Sequence, residues 1–473
     1  MSTAPAARRG IGLAALRGLL ARPLASYYLL VSSAGLLLVI GLTMVFSATS
    51  VKAYATDGNP FALIGRQALY ALVGLLGFWI AQRLPGRTFR VLGFPFMVLS
   101  FAALALLDTL LALKAFHLLA APRLGPVFAD ALWLHIGPVQ VQPAEFAKLS
   151  LVLWAADVLA RKGAAVVHWR ALTRPLFLAV AALFVLIGYN DFGSLVVLLG
   201  LFVGMLWAAG VRGRVFGGMA VLAGLGLAAL LALPGKSGYR LERLTSYLSV
   251  GGACDPNDCY QANQARYALA DGGWFGVGLG DASLKWGWLP AGENDFIFAI
   301  IGEELGVVGC TVVLVLLGVF AYTGLRIARR VADPFRRLAA AGAMSWLIVQ
   351  AVINLGGVVG LLPITGVPLP FISDGGSALV VTLVAVGMLA SFARTEPDAA
   401  RALHARPPAR WARLLWAPLP PIGDDTGPAP RPGGAARRPP AARAGSGSPR
   451  RERAGARTGR GRSGPGGERR DRR

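Results

Sequence analysis

Apolar residues in this chain gather into long unbroken runs rather than periodic stripes. Stretches mostly of about 17–25 residues recur at about 26–48, 65–83, 91–113, 144–161, 174–189, 193–210, 216–233, 295–325, 337–360 and 377–393. Coiled as a helix, such a run covers a hydrocarbon core about 30 Å thick. Backbone polar groups in lipid must pair within a helix or a closed barrel, and these runs are too long and too uniformly apolar for barrel strands. The pattern predicts an all-α polytopic membrane protein of ten transmembrane helices.

The polar stretches between the runs orient them. Arg83, Arg87 and Arg90, then Arg161, Lys162, Arg170 and Arg174, then Arg212 and Arg214, and finally Arg326, Arg329, Arg330, Arg336 and Arg337 fall in alternate connections. The positive-inside bias puts these, and both termini, in the cytoplasm. It puts 114–143, 234–294 and 361–376 outside. The large extracellular loop between helices 7 and 8, residues 234–294, far exceeds the usual loop length of about 12–15 residues. Its helix-compatible part from Tyr260 to Gly273 is expected to fold over the outer face.

The chain thus divides into a cytoplasmic arm (1–25), a membrane domain (26–394) and a tail (395–473) of Pro, Gly, Ala and Arg that is expected to be disordered. Arg8, Arg9, Arg17 and Arg22 ahead of the first run resemble a signal peptide. The run is too long for one and lacks a cleavage site, so it is read as a retained signal-anchor.

Composition agrees with this class: 55% of the 473 residues are hydrophobic, 15% are charged, and mean hydropathy is +0.57. The net charge of +23 raises nucleic acid as a partner. The tail alone holds 18 arginines against seven acids, and most of the rest sits in cytoplasmic loops. No basic platform interleaved with aromatics accompanies it, so nucleic-acid binding is excluded. Cys310 lies in an apolar run, whereas Cys254 and Cys259 flank the turn ACDPNDCY on the oxidising side and are expected to form a disulfide. The four His are scattered, which gives no zinc pattern. Gly276-x-Gly278-x-Gly280 follows no strand and is no dinucleotide fingerprint.

Chemistry concentrates between Gly276 and Gly309, GVGLGDASLKWGWLPAGENDFIFAIIGEELGVVG. An ionisable side chain at the centre of a span costs about 2.5–3.5 kcal/mol on insertion scales, yet Asp295, Glu303 and Glu304 cluster at one end of one run. Asp295, at the outer start of a helix, suits a general base whose pKa is raised by partial desolvation. Asn294 or Asp295 would equally serve as an N-cap. Ala299, Gly302, Gly306 and Gly309 share a face with Asp295, a small-residue stripe that lets a second helix approach closely. Glu303 and Glu304 cannot both share that face, so at least one is expected to pair with a base elsewhere in the bundle. Glu145 and Lys148, three apart, can pair on one helix face.

The stretches VQPAEFAKLSLVLWAADVLARK, LPAGENDFIFAIIGEELGVVG and ITGVPLPFISDGGSALVVTLVAVGMLASFAR, in the family's order on a ten-span frame, closely resemble the SEDS family of FtsW/RodA/SpoVE peptidoglycan glycosyltransferases, over about residues 30–394. The resemblance implies the SEDS fold and polymerisation of lipid II into glycan strands at the outer face of the cytoplasmic membrane, with release of undecaprenyl diphosphate. Gly302 and the loop CDPNDCYQANQARYALADGGWFGVGLG resemble the FtsW division branch, particularly its actinobacterial members. Septal location, a class B penicillin-binding protein (a transpeptidase) and other divisome proteins as partners are therefore implied.

The family's essential Asp, in its (H/N)(T/N)DFIFA motif, falls on Asp295, while Glu293 stands where His is common. The family's QPSEFAK motif, here with Ala144 for Ser, places Glu145 and Lys148 at a diphosphate cavity; a structural salt bridge is the other reading. Arg66 is a second diphosphate partner or a snorkelling cation, and Lys285 is a third. Ser373 and Ser377, in PLPFISDGGS, could bind sugar or phosphate, and the small-residue stripe through Gly302 and Gly306 could admit a polyprenyl chain. Asp191, in YNDFGS, has Asn190 where the family has Pro and is read as a turn residue. The segment LWLHIG lacks the family's basic or polar first residue. Asp374 replaces a Tyr or a small residue; no cofactor is indicated, and a divalent cation is left open. A lipid II flippase, an elongation-type RodA-like polymerase and a division scaffold are the alternatives.

Overall fold

The computed structural model describes residues 18–420 apart from 19, 119–120, 138, 168–172, 233–259, 284–285, 287–288 and 291. Cys254, Cys259 and Lys285 lie outside the described residues. The apolar runs are helical: α1 (Ala25–Asp57), α2 (Ala62–Arg83), α3 (Gly86–Ala115), α4 (Pro143–Lys162), α5 (Leu178–Asn190), α6 (Phe192–Ala208) and α7 (Gly213–Ala232). After the outer loop come α8 (Tyr260–Asp271), α9 (Ile297–Arg330), α10 (Pro334–Val358) and α11 (Gly376–Arg394). Among the described residues six helices, α1, α2, α3, α9, α10 and α11, are long and apolar enough to cross a membrane, and α5, α6 and α7 contain shorter apolar stretches. Local signals set the boundaries. Asp191 caps α6 by accepting from the Ser194 amide (2.8 Å), the turn role its sequence suggests. Asp333 caps α10 in the same way, with Pro334 at the first helical position.

Helix α4 is buried from Pro143 along most of its length to Leu159 and packs against α3, α6, α10 and α11. Small residues let the helices meet. A Cβ on Gly387 of α11 would lie 2.5 Å from the Phe78 carbonyl of α2, so only glycine permits this crossing.

Two expectations are corrected. The all-α reading fails over 123–141, where β1 (Arg123–Leu124), β2 (Val127–Asp130), β3 (Trp133–Ile136) and β4 (Val139–Val141) form an antiparallel meander in the order β1-β2-β3-β4. Ala129 and Leu134, paired across β2 and β3, are buried on Leu107 and Leu110 of α3. The fully disordered tail is corrected over its first part. Residues after α11 form α12 (Pro397–Ala405) and α13 (Arg410–Leu415). Trp79 Nε1 donates to the Leu415 carbonyl (2.6 Å), Arg83 to that of Leu414, and Trp416 Nε1 to the Tyr27 hydroxyl. The packing continues to the end of the described segment, where Ala417 and Pro420 are buried; residues 421–473 lie outside the described part.

Helix α9 is broken. Gly306 has φ 66° and ψ −164°, outside the helical region, so the ladder is interrupted there. The loop after α8 bonds to the chain on both sides of the break. Val277 and Gly278 donate to the carbonyls of Glu303 (2.9 Å) and Glu304 (3.2 Å), while Val307 and Val308 donate to those of Gly273 (3.0 Å) and Trp274 (3.2 Å). The Glu303 and Glu304 carbonyls and the Val307 and Val308 amides are thus bonded to the loop rather than stranded in an apolar setting. Contact is backbone on backbone: a Cβ on Gly276 would sit 2.0 Å from the Glu304 carbonyl oxygen.

Gly280→Ala tests the φ contribution alone, because Gly280 has φ 88° and open space around it; it should cost about 1–2 kcal/mol. Gly276→Ala, at φ 81° and against α9, should lower the thermal midpoint in detergent clearly further. Equal losses would mean that the loop is not seated on the break.

Candidate active site

Asp295 lies in the turn just before α9, and three consecutive carbonyls around it are pinned. The Glu293 carbonyl accepts the Asp374 amide (3.0 Å), the Asn294 carbonyl accepts Ser373 Oγ (2.6 Å), and the Asp295 carbonyl accepts Asn354 Nδ2 (2.8 Å). Asn354 Nδ2 also donates to the Val367 carbonyl (2.8 Å). The backbone under Asp295 is thereby fixed to α10 and to the irregular segment 361–375, and Asp295 lines a small cleft with Asn354, Gly357, Thr365 and Val367.

That segment is itself strained and supported. Phe371 has φ 71°, an outlying conformation for a bulky residue. Its buried ring meets Phe320 of α9 edge-on at 5.0 Å. The turn brings Ser373 Oγ within 2.8 Å of the Leu369 amide, and Gln67 of α2 donates to the Ser373 carbonyl (3.3 Å). Ser377 Oγ accepts the Gln142 amide (3.1 Å) at the start of α4. Both hydroxyls predicted to meet substrate therefore bind the protein's own backbone.

Glu145 and Lys148 form a buried pair at 2.6 Å. Lys148 also reaches Gln350 Oε1 (3.2 Å), which accepts Trp346 Nε1 (2.7 Å), and Gln350 Nε2 donates to the Pro368 carbonyl (2.9 Å). Lys148 thus supports the same segment from below. Glu303 Oε1 accepts the amide and hydroxyl of Ser283 (2.6 and 2.9 Å), and Glu304 accepts Ser47 Oγ (2.6 Å). Gly302 faces Leu269 of α8, and Gly306 faces the loop, so the small-residue stripe receives α8 and its loop.

Charge gathers around Glu293, two residues before Asp295. Lys52, near the end of α1, pairs with Glu293 at 2.5 Å. Burial pushes the Asp374 carboxyl above the ordinary range; Arg66 pulls it down, Glu293 pushes it up and Lys52 pulls it down. Arg66 is exposed. Two cations and two carboxylates, Lys52, Arg66, Glu293 and Asp374, thus share one electrostatic neighbourhood. Among the described residues no cluster of three or more His, Cys, Asp or Glu could hold a metal ion; Glu293 and Asp374 are the carboxylates a divalent cation would meet. Sequence reasoning missed Lys52, Gln350 and Asn354. A Lys just past the first apolar run, and two amides one turn apart in a later one, were the available signals.

Fold and site together define a multi-pass helical membrane protein in which Asp295 stands on a clamped backbone two residues after the Glu293 that pairs with Lys52. Comparison with known proteins narrows this: the family described as "Cell cycle protein", FtsW/RodA/SpoVE, matches residues 27–397, and the chain belongs to it. It is 40% identical over 405 residues to the probable peptidoglycan glycosyltransferase FtsW of Mycobacterium tuberculosis, covering 85% of this chain and 74% of that one. To stage V sporulation protein E of Bacillus subtilis it is 35% identical over 363 residues, covering 76% and 94%. Among solved structures, a chain from a peptidoglycan synthase complex that coordinates polymerization and crosslinking matches with a TM-score of 0.59 at 25% identity, covering 78% of this chain and 97% of that one. The rod shape determining protein RodA of Thermus thermophilus matches with a TM-score of 0.53 at 25% identity, covering 78% and 96%.

Removing one member of a buried pair costs about 3–5 kcal/mol, whereas replacing both is often neutral. Lys148→Met alone should therefore destabilise severely, and Glu145→Gln with Lys148→Met should recover most of the loss in thermal unfolding. A double variant that is stable yet cannot bind lipid II would restore a substrate-binding role to Lys148.

For Asp374, a folded pKa above the unfolded one means that the native state holds the proton more tightly. Its contribution therefore becomes unfavourable as pH rises from the ordinary carboxylate range through the raised value. Asp374→Asn should be more stable than wild type at neutral pH, and the difference should vanish in acid. A difference that grows in acid would reverse the sign of the shift.

Proposed function

We propose that this protein is a peptidoglycan glycosyltransferase that polymerises lipid II at the outer face of the cytoplasmic membrane during septal wall synthesis, with Asp295 as general base. Ten helices cross the membrane in this reading, the shorter α5, α6 and α7 and the charge-bearing α4 included, with both termini cytoplasmic. The observation that carries the assignment is the clamping of Asp295 and its two preceding residues on three consecutive carbonyls, the first of them that of Glu293, whose carboxylate pairs with Lys52. Family membership and the names of the relatives support it.

The chemistry follows from the parts. Asp295 takes the proton of the acceptor sugar's 4-hydroxyl as its oxygen attacks the donor's anomeric carbon. The bond from that carbon to the diphosphate oxygen breaks, and undecaprenyl diphosphate leaves with the electron pair. Charge developing on the leaving group needs cations in a site of low dielectric. Arg66 presents a planar fork suited to phosphate oxygens, with Lys52 beside it and Lys285 as a further candidate. Glu145, Lys148, Ser373 and Ser377 act in this reading by holding segment 361–375 and the start of α4, not by touching the sugar. A class B penicillin-binding protein is the proposed partner, in keeping with the complex from which a structural relative comes.

Asp295→Asn keeps size and hydrogen-bonding capacity while removing the base. It should lower glycan polymerisation by about 10²–10⁴-fold in a purified preparation matched to wild type for monodispersity and partner content. Arg66→Ala should chiefly raise KM for lipid II. Equal polymer from wild type and Asp295→Asn would remove the base from the mechanism, and transport of lipid II into liposomes without polymer would replace the enzyme with a flippase.

A further inference from the structure

The loop that repairs α9 carries large apolar side chains on its outer side. Trp274 is 72% and Phe275 83% exposed, and Val277 and Leu279 are exposed with them. Two rulers fix their depth. From Gly306 to Arg326, the first of the arginines ending α9, is 20 residues, or about 30 Å of helix, the thickness of the hydrocarbon core. From Pro334 to Asn354 along α10 is also 20 residues, or about 30 Å, and Asn354 touches Asp295. Gly306 and Asp295 therefore both stand near the membrane boundary opposite the arginines that end α9. The loop is bonded to residues 303–308 and stands there too.

Its surface continues that of the bundle. Val307, Val308 and Val312 beside it on α9 are exposed apolar residues on a membrane-crossing helix. Much of its backbone is paired as an apolar setting requires: the amides of Gly276, Val277 and Gly278 and the carbonyls of Gly272, Gly273 and Trp274 are bonded within the protein. A loop meant for water would not need that pairing, and one entering lipid must have it. Aromatic residues at the edge of the hydrocarbon are the common interfacial anchor.

We propose that residues 273–279 dock into the bilayer, with Trp274, Phe275 and Leu279 among the acyl chains of the leaflet on the site's side. This holds the first turns of α9, and Asp295 with them, at a set height over the membrane. The proposal rests on the membrane class and the α9 break, and stands apart from the proposed chemistry.

The test is nitroxide labelling at Phe275→Cys in the full chain with its own three cysteines replaced, reconstituted in phosphatidylethanolamine–phosphatidylglycerol vesicles. Collision with oxygen, which favours lipid, is compared with collision with a water-soluble nickel chelate. Val312→Cys is the lipid-facing reference and Asp281→Cys the aqueous one. The oxygen-to-nickel ratio at position 275 should match that at 312 and exceed that at 281 several-fold. A ratio like that at 281 places the loop in water, and shielding from both reagents means that protein covers it; either overturns the proposal. Leu279→Cys reads the same boundary if the label at 275 prevents folding. None of these readings depends on turnover, so they separate from the outcome for Asp295→Asn.

Discussion

Every backbone amide and carbonyl at membrane depth must find a partner, and at Gly306 helix α9 stops providing them. The structure depends on how that gap is filled. A straight helix from Ile297 to Arg330 would be about 50 Å long, too long to bring Asp295 to Asn354. The break shortens the reach and leaves the Val307 and Val308 amides and the Glu303 and Glu304 carbonyls to find partners outside the helix. The loop after α8 supplies them, so that α8 and the glycines behind it become part of the membrane domain rather than a cover over it. Gly272 and Gly276 exclude side chains for the same reason: a Cβ on Gly272 would fall 1.8 Å from the Gly302 carbonyl.

The second half of the arrangement is a polar edge on α10. Trp346, Gln350 and Asn354 follow one another a turn apart, and each is used. Gln350 joins Lys148 to the Pro368 carbonyl, and Asn354 joins the Val367 carbonyl to that of Asp295. Buried polar groups of this kind add little net stability, but leaving one unpaired is costly. Their effect is to select a single path for segment 361–375, including the unfavourable φ of Phe371. The base thus inherits its position from residues that need not meet substrate.

Much of this was legible in the chain. Long apolar runs mark the helices, and three carboxylates at one end of a run mark Asp295, Glu303 and Glu304. The meander at 123–141 was missed because its strands are only two to four residues long, although Gly125-Pro126 and Gly137-Pro138 punctuate it and the alternation from Val127 is visible in retrospect. The folded start of the tail was missed because composition was averaged over 395–473, which dilutes Trp411, Leu414, Leu415 and Trp416. The partners of Asp295 could not be read at all. Asn354 and Ser373 lie 59 and 79 residues from the carbonyls they bind, and no local pattern encodes such a meeting.

The electrostatics of the mouth then constrain what can happen there. Lys52 is already engaged with Glu293, while Arg66 acts on Asp374 through its field. The two cations and two carboxylates cancel formally, so an arriving diphosphate adds uncompensated negative charge. Unit charges about 4 Å apart interact by about 4 kcal/mol at an effective dielectric constant of 20, enough to shift a neighbouring equilibrium. Asp374 is the group best placed to respond, because burial already favours its protonated form and a nearby anion favours it further. Protonation of Asp374 would leave Arg66 and Lys52 facing one carboxylate, Glu293, in place of two. The acid that departs from the family pattern is then compatible with an anionic substrate, and its cost falls on the empty site rather than the loaded one.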